Sequence, residues 1–279
     1  MEQLKTVLRR PLLAVILFLA LQAVAGIAMT VVLLLTSPSG QPTEMMLQTS
    51  ENSYVTLLTA TSSLLTNVII IGLCLWLFSR KQYSPSPATE HGIGWAQHCI
   101  ALMGCLLGII AMDILSELLA LPDLMEDMMI GMCRHPLGIV AIALMAPVAE
   151  EILFRWGVMG HILRKGCNPQ TAIVVSSVLF GLAHLNPAQI FFGIIVGILL
   201  GLLYWKSNNI LYPIILHILN NSIACILVWL LGDEVKDYSI VQNIGGTTTA
   251  WLYICLLSTL CVGIMVWYVK QGRPKNYNP

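Results

Sequence analysis

The chain has 279 residues, of which 57% are hydrophobic and 10% charged, with a formal net charge of +0 and a mean hydropathy of +0.81. Soluble domains carry about 25% charged residues, so the composition excludes an ordinary soluble globular protein. The zero net charge offers no electrostatic footprint for a nucleic-acid partner. The expected class is all-α: a polytopic membrane helix bundle embedded in lipid.

Apolar windows long enough to cross about 30 Å of hydrocarbon, roughly 20 residues each, recur along the chain. They predict eight spans, at about 11–36, 54–79, 98–121, 136–163, 169–185, 187–205, 210–232 and 248–269. The first follows a basic start and passes Ala23, Val24 and Ala25, a small-residue pattern that fits a signal-peptide cleavage site. The apolar run continues from Gly26 through Leu35 with no polar mature start, which favours an uncleaved first helix.

Basic residues test the number of spans independently. With the N-terminus inside, Lys5, Arg9, Arg10, Arg80, Lys81, Arg164, Lys165, Lys206, Lys270, Arg273 and Lys275 all fall on the cytoplasmic side. Only Arg134 and Lys236 fall outside, and Arg155 is embedded. One span more or fewer scrambles this alternation, so the positive-inside rule favours eight spans with both termini cytoplasmic. Short loops and the lack of a soluble domain favour a bacterial inner membrane over the endoplasmic reticulum. The outer loops carry Glu44, Glu51, Asp123, Glu126, Asp127, Asp233, Glu234 and Asp237, but acidic residues weigh little in topology.

Three regions follow: N-terminal spans over 1–135, a four-span core over 136–232, and a last span with a cytoplasmic tail over 233–279. The longest polar connection, about 80–97, has linker composition. Of the 8 cysteines, Cys74, Cys99, Cys105, Cys225, Cys255 and Cys261 fall within spans and Cys167 in a cytoplasmic turn, leaving Cys133 alone near the outer face. With no CxxC and no pair in one outer loop, they read as small apolar packing residues rather than a disulfide or zinc framework.

The polar residues inside the spans carry the functional information. Charges there cost on the order of 2.5–3.5 kcal/mol each by insertion scales, and an intramembrane ionisable cluster is by default a candidate site. In the fourth span Glu151 and Arg155 are four apart on one helical face, which suits a charge-assisted pair. Glu150, about 100° away around the helix, has no counter-charge on its own helix and is the candidate general base. Pro147 removes a backbone hydrogen bond just upstream and is expected to kink the helix and open a cavity.

The fifth span supplies Phe180 and His184, and the seventh His217 and Asn221, each pair four apart on one face. Two imidazoles, an amide and a carboxylate thus converge from three helices if the fifth and sixth spans form an antiparallel hairpin about the turn at Asn186 and Pro187. Gly181, Gly193, Gly197 and Gly201 permit close helix approach. Depth argues against this convergence: at about 1.5 Å per residue, Glu150 and His184 lie roughly 20–24 Å from the cytoplasmic ends and His217 nearer 15 Å. A tilted seventh span, or cytosolic extension of the fourth and fifth, removes the mismatch.

The ordered set EExxxR, FxxxH and HxxxN, here Glu150-Glu151-x-x-x-Arg155, Phe180-x-x-x-His184 and His217-x-x-x-Asn221, resembles the CPBP family of intramembrane proteases, the CAAX-protease and bacteriocin-processing group. The match covers about 140–225; the other spans agree in hydropathy only. By this resemblance Glu150 is the catalytic carboxylate, His184 helps it hold and polarise a water, His217 and Asn221 stabilise the oxyanion, and Glu151 and Arg155 orient. The family is often labelled metalloprotease, and zinc on His184, His217 and Glu150 is an open alternative. No HExxH is present, and water activation by Glu and His requires no cofactor. The implied partners are membrane lipids and a peptide or membrane-protein substrate, in peptide maturation or bacteriocin self-immunity.

Other readings fit some of the same residues. A single membrane His or Asn is more often an interhelical hydrogen-bonding residue than a catalyst, Phe180 reads as packing, and Asn220 is a substitute for Asn221 if its helix is rotated. Asp113 and Glu117, four apart on the third span, form a second acidic pair read as structural, facing a wet cavity, protonated or paired with Arg155. A silent scaffold of the same fold and a proton-coupled transporter are the competing functions; against transport, the sequence shows no repeat symmetry with matched broken helices.

Overall fold

A computed structural model of the protein describes residues 2–36, 53–78 and 93–271. Glu44, Glu51, Arg80, Lys81, Arg273, Lys275 and most of the 80–97 connection lie outside the described residues. Long apolar runs form helices because a backbone in hydrocarbon must satisfy its own hydrogen bonds. In chain order these are α1 (Glu2–Thr36), α2 (Ser53–Phe78), α3 (Trp95–Leu119), a short α4 (Glu126–Arg134), α5 (Pro136–Arg164), α6 (Pro169–Leu182), α7 (Pro187–Ser207), α8 (Leu211–Leu231), a one-turn α9 (Ile240–Asn243) and α10 (Thr247–Lys270).

The bundle is a helical membrane protein, as its composition implies, with 7 described helices long and apolar enough to cross a bilayer. The predicted fifth span is the departure. It folds as the 14-residue α6, about 21 Å long at 1.5 Å per residue, and the turn after it completes the run to the α3–α4 connection. Its length is limited by the turn that follows, where Leu185 takes a positive φ of 53°. The α3–α4 connection meets this turn. Asn186, fully buried, donates from Nδ2 to Asp123 Oδ1 at 2.7 Å and accepts from Leu124 N–H at 3.1 Å. The acidic residues of these connections also make ion pairs: Asp233 with Arg134 at 3.0 Å and Asp127 with Lys236 at 2.5 Å.

Large apolar side chains such as Ile27, Trp76, Met103, Trp229, Leu230 and Val262 are exposed on the outside of the bundle, where lipid replaces water as their neighbour. Lipid tails are as apolar as leucine, so burial alone does not hold such helices together; close packing and interhelical hydrogen bonds do. Four packed clusters result among the described residues. One joins Val15 and Phe18 of α1 and Ile70 and Phe78 of α2 to Phe154 and Val158 of α5. Another joins Cys105 and Ile109 of α3, Leu200 of α7 and Cys261 and Tyr268 of α10. Glycine sets the spacing of the α6–α7 hairpin: a Cβ at Gly181 would stand 2.7 Å from the Ile190 carbonyl oxygen.

Candidate active site

The site is built on α5, which is not a uniform α-helix. Wider π-helical turns run from Val140 to Met145 and from Ile152 to Met159, on either side of Ala146–Glu151. Such turns inside helices often mark functional positions. Pro147 gives a local cause for the first. It has no N–H and its ring crowds the carbonyl one turn back, so the helix widens and Ala146 N–H donates to Ala141 O. In that widened register the next carbonyl, Ile142 O, faces the missing proline N–H. Asn221 fills the gap from α8, donating from Nδ2 to Ile142 O at 2.9 Å. Its Oδ1 accepts from Asn220 Nδ2 at 3.1 Å, so the amide is fixed at both ends.

Glu151 and Arg155, both fully buried, form the pair expected from their spacing, Nη1 to Oε1 at 2.9 Å. The same Oε1 also accepts from His217 Nδ1 at 2.9 Å. His217 then presents Nε2 to Glu150 Oε2 at 3.7 Å, beyond a direct hydrogen bond. His217 therefore stands between the two adjacent glutamates, one on each ring nitrogen. These contacts remove the depth mismatch expected for His217. Counting at a constant rise fails in α5 because π-helical turns pack more residues into each turn.

Phe180 is the hub around which the remaining groups are arranged. The Arg155 guanidinium carbon lies 4.3 Å above its ring centroid, a cation–π contact of about 2 kcal/mol when desolvated. His184, His217 and Phe154 pack edge-on against it at centroid distances of 4.9, 5.7 and 5.3 Å. Arg155 also donates from Nη2 to Gly197 O at 3.3 Å. A Cβ at Gly197 would lie 3.0 Å from Ser177 Cα, so glycine lets α7 come this close. Phe180 looked like packing in the sequence; its placement under the arginine was hidden because the two are 25 positions apart on different helices.

His184 lies just past the end of α6, where its ring Nδ1 is 2.9 Å from the Phe180 carbonyl oxygen. A carbonyl only accepts, so Nδ1 carries a proton and Nε2 is the ring nitrogen left open. Two buried atoms, Glu151 Oε2 and Arg155 Nε, have no hydrogen-bond partner among the described residues. Glu150, by contrast, is partly open, its side chain 17% exposed.

The proposed zinc ligands do not gather around one point: among the described residues no group of three His, Cys, Asp or Glu is arranged to hold a metal. Nδ1 of His217 and of His184 is bonded to Glu151 and the Phe180 carbonyl, which leaves Nε2 as the open nitrogen of each ring.

The second acidic pair resolves differently. Glu117 accepts hydrogen bonds from Ser239 Oγ, Ile240 N–H and Val241 N–H, capping α9. Asp113 is half-buried and makes no hydrogen bond or ion pair among the described residues; Arg155 is occupied elsewhere.

Residues 134–223 match the family model described as Type II CAAX prenyl endopeptidase Rce1-like. The chain is similar to the putative membrane peptidase YdiL of Bacillus subtilis (strain 168), 30% identical over 103 residues, which cover 37% of this chain and 41% of that protein. It is also similar to the membrane-embedded CAAX protease MroQ of Staphylococcus aureus (strain USA300), 29% identical over 118 residues, covering 40% of this chain and 47% of that one. The aligned region is therefore less than half the length of either curated relative. No solved structure matches the chain. The matched segment contains Glu150, Glu151, Arg155, Phe180, His184, His217 and Asn221, so the CAAX-protease resemblance holds for the core that carries the site.

Proposed function

We propose that the chain is an intramembrane endopeptidase that hydrolyses a peptide bond at or near the membrane. The observation that carries this reading is His217 held between Glu151, at 2.9 Å on Nδ1, and Glu150, at 3.7 Å from Nε2. In this reading both ring nitrogens of His217 are donors, Nδ1–H to Glu151 and Nε2–H toward the site. Nε2–H is then a donor beside the one carboxylate of the group that is partly open.

In the proposed reaction Glu150 takes a proton from water while the lone pair of His184 Nε2 accepts the other water hydrogen and orients it. The water oxygen attacks the peptide carbonyl, and the developing oxyanion receives hydrogen bonds from His217 Nε2–H and the second Nδ2–H of Asn221. Glu150 returns its proton to the leaving amine as the C–N bond breaks. Base catalysis supplies about 10²–10⁴-fold, and each oxyanion donor in a dry site about 2.7–4 kcal/mol. Glu151 and Arg155 do no chemistry; they fix the His217 ring.

The expected setting is a bacterial inner membrane with both termini cytoplasmic, and the expected substrates are peptides or membrane proteins in peptide maturation or bacteriocin self-immunity. The similarity to a putative membrane peptidase and a membrane-embedded CAAX protease supports hydrolysis of this kind. The test is hydrolysis of a quenched-fluorescence peptide library by the detergent-purified protein, with and without chelator, for the parent chain and Glu150→Ala. Chelator-insensitive cleavage that the substitution abolishes supports the mechanism. Cleavage that survives Glu150→Ala, or stops with chelator, contradicts it.

A further inference from the structure

Cys133 in the last turn of α4 and Cys225 in α8 are 92 positions apart, yet their sulfurs stand 2.8 Å from each other. The sequence reading left Cys133 isolated because its neighbour comes from a different helix. Elsewhere in the molecule Cys105 meets the sulfur of Met265 at 3.5 Å, an ordinary sulfur contact, so the Cys133–Cys225 approach is tighter by 0.7 Å (3.5 less 2.8). A disulfide bond is about 2.0 Å long.

The surroundings agree with a cross-link. Both thiols are nearly out of solvent, 2% and 4% exposed, in an apolar cluster with Ile130, Met132, Ala141 and Val228. The hydrogen bond to Cys225, then burial, push the Cys133 thiol up, away from the reactive thiolate. Arg134, next to Cys133, also ties α4 to the residues just after α8: it donates to Gly232 O at 2.7 Å and pairs with Asp233.

We propose that Cys133 and Cys225 form a structural disulfide that staples α4 to α8 on the outer side of the membrane. Two S–H bonds break and one S–S bond forms; the two electrons and two protons pass to a disulfide-bearing thiol oxidant, which is reduced to a dithiol. Because both thiols are nearly out of solvent in the folded protein, the bond closes during insertion, while α4 is still settling, and once closed it resists reductant. It is a staple rather than a switch. The staple holds the wall of the Val140–Met145 turn, since Ala141, Ile142 and Ala143 belong to the same cluster, and Cys225 lies one helical turn beyond Asn221. The inference rests on the orientation proposed above but not on the chemistry proposed for Glu150.

The test is peptide mapping of the full-length protein from membranes quenched with N-ethylmaleimide and then denatured. The expected result is a peptide linked through Cys133 and Cys225, lighter by two hydrogens than its parts, that reductant cleaves after denaturation and leaves intact in the folded protein. In Cys133→Ser the link disappears and Cys225 is alkylated; because the parent chain alone decides the matter, poor folding of that variant does not. Recovery of both cysteines alkylated from the parent chain overturns the proposal. A reporter at exposed Tyr238, as Tyr238→Cys labelled in whole cells by an impermeant maleimide, then separates the causes: labelling from outside places the fault in the pairing, and its failure places it in the orientation.

Discussion

The molecule carries two pairs of carboxylates inside apolar helices, and they have different fates. On α3, Glu117 is consumed by backbone N–H groups and a hydroxyl at the start of α9, a structural use of charge. On α5, Glu151 is consumed by an arginine and a histidine, and it holds that histidine facing the neighbouring Glu150, which is left partly open. Acid in a membrane span therefore does not by itself mark the site. What distinguishes α5 is that one acid is spent on positioning a titratable group against the other.

Four substitutions sharpen or break this contrast. The largest expected effect is that of Glu150→Gln, a loss of peptide hydrolysis of about 10²–10⁴-fold with an unchanged melting temperature, because the isosteric amide keeps the packing and removes the base. Arg155→Met comes next and acts on stability. It leaves Glu151 buried without its cation at a cost of roughly 3–5 kcal/mol, seen as a fall in melting temperature that a second change, Glu151→Gln, partly restores. Asn221→Ala leaves the Ile142 carbonyl without a donor, costing about 1–3 kcal/mol. If the amide also serves the oxyanion, the loss of kcat measured on the folded fraction exceeds what unfolding explains. The smallest effect is that of Glu117→Gln, about 1 kcal/mol of stability from a weakened cap and unchanged hydrolysis per folded molecule.

Local spacing revealed much of this. The Glu151–Arg155 pair follows from four-residue spacing within one helix, and the ordered motifs on successive apolar runs lie in the segment that matches the family model. Contacts between helices were not legible. Nothing in the spacing shows that His217 bonds Glu151, that Glu117 reaches Ser239, or that Cys133 meets Cys225, since each depends on how helices far apart in sequence dock. Pro147 signals more than a kink. A missing N–H implies a carbonyl in need of a donor, and Asn221 supplies it. The fifth span was overestimated because apolar length was counted without the turn at Ala183–Asn186, which the α3–α4 connection covers.

The central claim, that the two acidic pairs differ in kind, is tested most directly by measuring peptide hydrolysis per folded molecule for Glu150→Gln and Glu117→Gln side by side in detergent. The account predicts that the first is inactive while the second matches the parent chain. Equal retention, or loss in the Glu117 variant alone, would contradict it.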